Sequence, residues 1–189
     1  ELIYCAFFFI LMSLEIEKLR YPIGKFIRPT DIDQQTLTLW IESIRKFPER
    51  LRNEIATLSK KDFNRSYRPN GWTITQLINH CADSHINSFV RFKLALTEDT
   101  PTIKTYQEDL WAALADSKDF PIESSLKIMD GIHERWAHLL ASLTDEDLNR
   151  SFRHPETGEL IDLRTNIGVY AWHCNHHLAH IINAKSGKY

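Results

Sequence analysis

The stretch WHCNHHLAH at residues 172–180 concentrates four imidazoles on one predicted helix. His173 and His177 are four residues apart, which puts them one turn apart on the same helix face. Two imidazoles in that arrangement form a clamp for a divalent cation, because each offers a neutral nitrogen lone pair at physiological pH. His176 and His180 form a second pair with the same spacing. The apolar face of this segment is set by Leu163, Ile167, Tyr170, Cys174, Leu178 and Ile181. On a helical wheel His177 lies about 50° from its centre and His173 about 90°. His180 lies about 110° away and His176 about 150°, so His176 is expected to look outward. His173 and His177 are expected to point into a helix bundle or its rim.

A third ligand must come from another helix, and two residues compete for the role. In the segment from Thr73 to Thr97, periodicity places His85 near the centre of the stripe Ile74, Leu77, Ile78, Cys81, Phe92 and Leu96. His80 lies well off that stripe, beside Ser84, Asn87 and Arg91. An internal repeat favours His80 instead. Residues 58–68 read LSKKDFNRSYR and residues 143–153 read LTDEDLNRSFR, identical at Leu58/Leu143, Asp62/Asp147, Asn64/Asn149, Arg65/Arg150, Ser66/Ser151 and Arg68/Arg153. Continued into the helices, the repeat aligns Asn79-His80-Cys81 with Trp172-His173-Cys174, with eight extra residues expected in the hairpin-like stretch HPETGELI. Wheel and repeat disagree, and the residues alone leave both His80 and His85 open. Asp83, three residues after His80, is placed to orient a ligand or move a proton. Arg91 shares the His80 face and suits an anionic substrate group. Cys81 and Cys174 adjoin the candidate ligands, but neighbouring helix positions diverge by about 100°, so both are expected in the core. His85, His133, His138 and His154 are expected to be structural or surface residues.

Four helical segments must position these groups. The first, about 31–58, carries Leu37, Trp40, Ile41, Ile44, Leu51, Ile55 and Leu58 on one stripe, and Pro48 is expected to kink or split it. The second opens after the turn Asn70-Gly71 with Thr73 and Gln76 in capping-box spacing. The third, about 121–143, aligns Ile122, Leu126, Met129, His133, Trp136 and Leu140. The fourth runs from about Leu163 to Ala184. Residues 98–120 read as a crossover with a short helix near Leu110, and residues 154–159 as a hairpin turn. The prediction is an all-α four-helix bundle of two pseudo-symmetric helix pairs joined by a long middle crossover.

The composition of the 189 residues suits this reading. Apolar residues are 43% and charged residues 25%, with nine histidines and only 6 Gly and 7 Pro, which excludes collagen-like and low-complexity classes. A net charge of −2 offers no basic field for nucleic acid or anionic lipid, so neither is an expected partner. The apolar run Leu2–Met12 is too short to span a bilayer. Three cysteines without a CxxC fit a reducing cytosol, and a cytoplasmic protein is expected. Residues 1–18 are expected to be an N-terminal extension outside the fold, with Met12 a natural start, and residues 19–189 to form one domain.

The stretches LRYPIGKF (19–26), RPNGWTITQLINHCADSH (68–85), RFKLALTEDTPTIKTY (91–106) and YAWHCNHHLAHI (170–181) resemble the DinB superfamily, in particular its YfiT-like branch of metal-dependent hydrolases. The resemblance runs through most of residues 19–181. It implies a four-helix bundle, usually homodimeric, and a metal site on His80, His173 and His177, which settles the third ligand in favour of the repeat. One divalent ion per subunit, zinc or nickel, is implied, with an open coordination position for water or a small-molecule substrate. Hydrolysis is the first expected activity. The resemblance also implies one alternative, transfer of a low-molecular-weight thiol, bacillithiol-like or glutathione-like, to an electrophile; a rival from another class is a stress-linked metal-binding protein without catalysis.

Overall fold

The computed structural model describes residues 14–187; the apolar run Leu2–Met12, the start proposed at Met12 and Cys5 lie outside them. Four long helices carry the molecule: α1 (Gln34–Ile55), α2 (Ile74–Thr97), α3 (Glu123–Ala141) and α4 (Leu163–Ser186). Each boundary has a local cause. Asp33 caps α1 by accepting from Thr36 N, and Thr73 and Gln76 form the expected capping box on α2. Asp162 accepts from Thr165 N at the start of α4, and Gly187 ends that helix with φ 63°, a left-handed conformation suited to glycine.

The packing order is not that of the sequence. α1 packs against α3 and α4, and α2 packs against the same two helices, so α1 and α2 stand at opposite corners of the bundle, as do α3 and α4. The core between them includes Ile44, Phe47, Leu51, Leu77, Phe92, Met129, Trp136, Ile167 and Ile181, all fully buried. α1 and α4 approach closely at Gly168, where an added Cβ would lie 2.7 Å from the Trp40 ring. The crossover holds two short helices, Glu108–Ala112 and Ala115–Lys118, and another, Asp145–Asn149, precedes the hairpin β1 (Ser151–Arg153) and β2 (Leu160–Asp162), paired antiparallel. Residues 14–20 are helical, so the boundary expected at 18/19 falls within this turn. No helix of the described residues is long and apolar enough to cross a membrane.

Pro48 does not split α1, which continues from Gln34 to Ile55. Proline removes the N–H that would bond the carbonyl four residues earlier, and here His133 Nδ1 supplies the replacement, 2.6 Å from Ile44 O. A partner from α3 thus takes over the lost intrahelical bond.

The sequence repeat is a structural repeat. Asp62 accepts from Ser59 N and Oγ at 2.9 and 2.7 Å, and Asp147 accepts from Thr144 N and Oγ1 at 3.0 and 2.7 Å. Arg65 O accepts from Ile74 N, and Arg150 O from Leu163 N. Ser66 bridges Thr73, and Ser151 pairs with Asp162. The arginine side chains cross over: Arg65 Nη1 donates to Lys185 O near the end of α4, and Arg150 donates to Ala95 O and Glu98 O at the end of α2. The eight extra residues are not all in the hairpin. Aligning the N-caps Thr73 and Asp162 leaves four there and four within α4 before His173, about one helical turn. A whole turn keeps the histidine on the same face.

Candidate metal centre

α2 supplies His80 and α4 supplies His173 and His177, and these helices are packing neighbours. One ring nitrogen from each of the three residues lies within 4.8 Å of the others. His80 Nε2 and His173 Nε2 are 3.3 Å apart. Two nitrogens bonded to one ion at 2.0–2.1 Å with a tetrahedral angle stand about 3.4 Å apart, so this donor pair fits a divalent cation. His80 and His177 are 4 and 7% exposed, while His173 keeps part of its surface open.

Burial pushes the proton affinity of this cluster down. His80 is held at about 4, mainly by desolvation with His176 as a smaller cause. His173 and His177 fall well below the ordinary value for the same first reason, and their imidazole neighbours add to it. All three are therefore neutral ligand-ready bases at pH 7. Cys81 and Cys174 are fully buried, and desolvation raises both thiols, which keeps them protonated core residues.

The competition between His80 and His85 ends with both beside His173. His85 is fully buried, as the wheel expected, yet both ring nitrogens are engaged: Nδ1 with His133 Nε2 at 2.7 Å and Nε2 with His173 Nδ1 at 3.0 Å. The two arguments described different sides of one site. His133 is likewise part of this network, and the expectation of a separate structural role for His85 and His133 missed it. Periodicity ranked them as core residues but could not say what they touched. Phe47, absent from the stripe read for the first helix, packs its ring 5.3 Å from His85 and 5.6 Å from His133.

His176 corrects the wheel. It is 6% exposed, not outward-facing, because Trp172 stacks on it at 4.3 Å and Tyr21 covers it at 5.8 Å. The segment before α1 folds over this face of α4, and a wheel drawn for one helix has no knowledge of that cover. His180, 2% exposed, stacks on Tyr67 at 3.9 Å. His138 is exposed and His154 half-buried, both away from the cluster.

Asp83 and Arg91 are half-buried on α2. Burial, with Asp116 second, pushes the Asp83 carboxyl up to about 6. Its carboxylate has no hydrogen-bond or ion-pair partner among the described residues. Arg91 Nη2 reaches Lys104 O at 3.4 Å, while its Nε is buried without a partner. Nearby, Ser84 Oγ and Tyr170 OH lie 3.2 Å apart, and the Tyr106 hydroxyl is also buried and unpartnered. The large groove of about 1260 Å³ between α1 and α3, lined by residues such as Leu37, Ile41, Arg52 and Ala137, includes none of His80, His173 and His177.

A family model described as the DinB superfamily matches residues 43–181. Two relatives, from Bacillus cereus and Bacillus thuringiensis subsp. konkukian, are each named "Putative metal-dependent hydrolase". Each is 48% identical over 167 residues, covering 88% of this chain and 95% of the relative. Among solved structures, YfiT from Bacillus subtilis, described as "a probable metal-dependent hydrolase with an unusual four-helix bundle topology", aligns with TM-score 0.87 and 39% identity over 90% of this chain and 98% of that one.

Proposed function

This chain belongs to the DinB superfamily, and from that premise we propose that it is a metal-dependent hydrolase holding one divalent ion on His80, His173 and His177. The observation that carries the reading is the convergence of three neutral imidazole nitrogens from two packed helices within 4.8 Å. Three protein donors leave a position for water or substrate, as in catalytic rather than structural sites. The donor set suits zinc or nickel. A bound ion supplies Lewis-acid activation of water at neutral pH. The names of the relatives support the same class of activity.

The chain's own groups supply the rest. Of the three, His173 alone is not fully buried, so the approach of water and a small substrate is assigned to its side of the cluster. Asp83, with its carboxyl raised to about 6, changes protonation near the working pH and serves to carry a proton at its carboxylate oxygen. The partnerless Nε–H of Arg91 is available to an anionic group of the substrate.

Metal analysis tests the proposal. Wild-type protein exposed to zinc or nickel and desalted is expected to retain about one ion per chain, and His173→Ala to lose it. Full retention in the variant would overturn the site. With p-nitrophenyl acetate as probe, turnover by the loaded protein without added thiol supports hydrolysis. Turnover that strictly requires glutathione would overturn it in favour of thiol transfer. Asp83→Asn is expected to keep the metal and lower turnover about 10²- to 10⁴-fold.

A further inference from the structure

We propose that His85 with His133, and separately His180, are positioning residues that fix which ring nitrogen His173 and His177 present to the ion. Two hydrogen-bonded lines end on backbone carbonyls, and those ends determine every proton along them. The inference rests on the metal reading above for its purpose, and on hydrogen-bond geometry for its content.

The first line begins at Pro48. Because proline has no N–H, Ile44 O is left without its helical donor. A carbonyl can only accept, so His133 Nδ1, 2.6 Å away, carries the proton. A neutral imidazole holds one proton, so His133 Nε2 is bare and accepts from His85 Nδ1 at 2.7 Å. His85 Nε2 is then bare and accepts from His173 Nδ1 at 3.0 Å. His173 is left with Nε2 unprotonated, and this is the atom that faces His80 Nε2. The line runs from α4 through α2 and α3 to α1, using one residue from each helix.

The second line is shorter. His180 Nε2 lies 3.1 Å from Arg20 O and must donate to it. His180 Nδ1 is therefore bare and accepts from His177 Nδ1 at 3.4 Å. His177, like His173, is left with Nε2 as its free lone pair. No acidic side chain of the described residues bonds any histidine of either line, and burying an uncompensated imidazolium would be costly, so the neutral forms hold.

Ligating histidines usually donate their second N–H to a carboxylate, a backbone carbonyl or water. Here the acceptor is another histidine, with the carbonyl one or two rings further on. Ring orientation is set as firmly, but no negative charge enters the site. Only His80 lacks such a partner among the described residues. Its ring instead packs against Trp72 at 4.7 Å.

Long-range proton–nitrogen correlation spectra of ¹⁵N-histidine-labelled, metal-stripped protein at pH 7 test the assignment directly. His133, His85, His173 and His177 are expected to be protonated at Nδ1, and His180 at Nε2. Protonation of His173 or His177 at Nε2 would overturn it. His85→Phe and His180→Phe are each expected to weaken zinc binding about 10- to 100-fold in a chelator competition, with the stripped variants still unfolding cooperatively. Unchanged affinity in a folded variant would also overturn it, and if a variant fails to fold the wild-type spectrum decides. Correct tautomers in a wild-type protein that binds neither zinc nor nickel would sink the metal reading. Wrong tautomers with zinc bound would sink this inference alone.

Discussion

The two halves of the chain are built alike at their linkers and differently at their helices. Asp62 and Asp147 cap the same turn, and Arg65 and Arg150 each reach across to the far end of the other half's histidine helix. The helices then diverge. α2 brings one candidate ligand, and α4 brings two, together with His176 and His180 and one additional turn before His173. A pseudo-symmetric scaffold thus carries an asymmetric site. The bonds of Asp62 and Asp147 need only partners three residues away, so both copies keep them, whereas the site depends on what each helix meets in the bundle.

Acid should separate these two layers with the largest effect. His80, His133 and His176 are each held at about 4 in the fold against 6.5 when unfolded, with desolvation the main cause. Between those values the unfolded chain binds more protons, so stability falls as pH drops from about 6.5 towards 4. Each histidine contributes up to about 1.4 kcal/mol per pH unit. Asp62 and Asp147, lowered by bonds from Ser59 and Thr144, lose their contribution only as pH falls through and below 3.8. Urea titrations of metal-stripped protein across pH 7 to 4 check the order. A flat profile above pH 4.5 would remove the buried-imidazole account.

The crossed arginines are similar in plan and unequal in setting. Arg150 donates to Ala95 O from a partly buried position at 2.6 Å, whereas Arg65 bonds Lys185 O at the surface. Arg150→Ala should cost about 1.5–3 kcal/mol in urea denaturation, and Arg65→Ala about 1 kcal/mol or less. Equal losses would mean that the repeat is symmetric in energy as well as in geometry.

Two glycines sharpen the contrast between helices. Gly168→Ala should cost about 1–3 kcal/mol, because its new methyl meets the Trp40 ring that joins α4 to α1. Gly131→Ala on α3, where nothing lies within 4 Å, should gain about 0.5–1 kcal/mol. Thermal unfolding of the two variants should therefore shift in opposite directions.

Much of this molecule was legible before its coordinates. The 3–4-residue spacing of Ile122, Leu126, Met129, His133 and Trp136, and the Thr73/Gln76 pair, located helices and one start, because those signals are local. The eleven-residue echo anticipated the paired linkers, since capping by Asp62 and Asp147 spans only three residues. His176 was misread because its cover, Tyr21, lies 155 positions away in sequence. His85 and His133 were ranked as core and nothing more, since periodicity gives a face but not a hydrogen-bond partner.

By itself, then, the sequence determined the elements, the paired linkers and the placing of His173 and His177 one turn apart on one helix face, for helix geometry makes spacing equivalent to position within one element. Only the tertiary structure decided that His80 and His85 both meet His173, and that Pro48 frees a carbonyl for His133. Those relations join residues on different helices, and the diagonal placement of α1 against α2 and of α3 against α4 depends on how four apolar faces pack together, not on the period of any one.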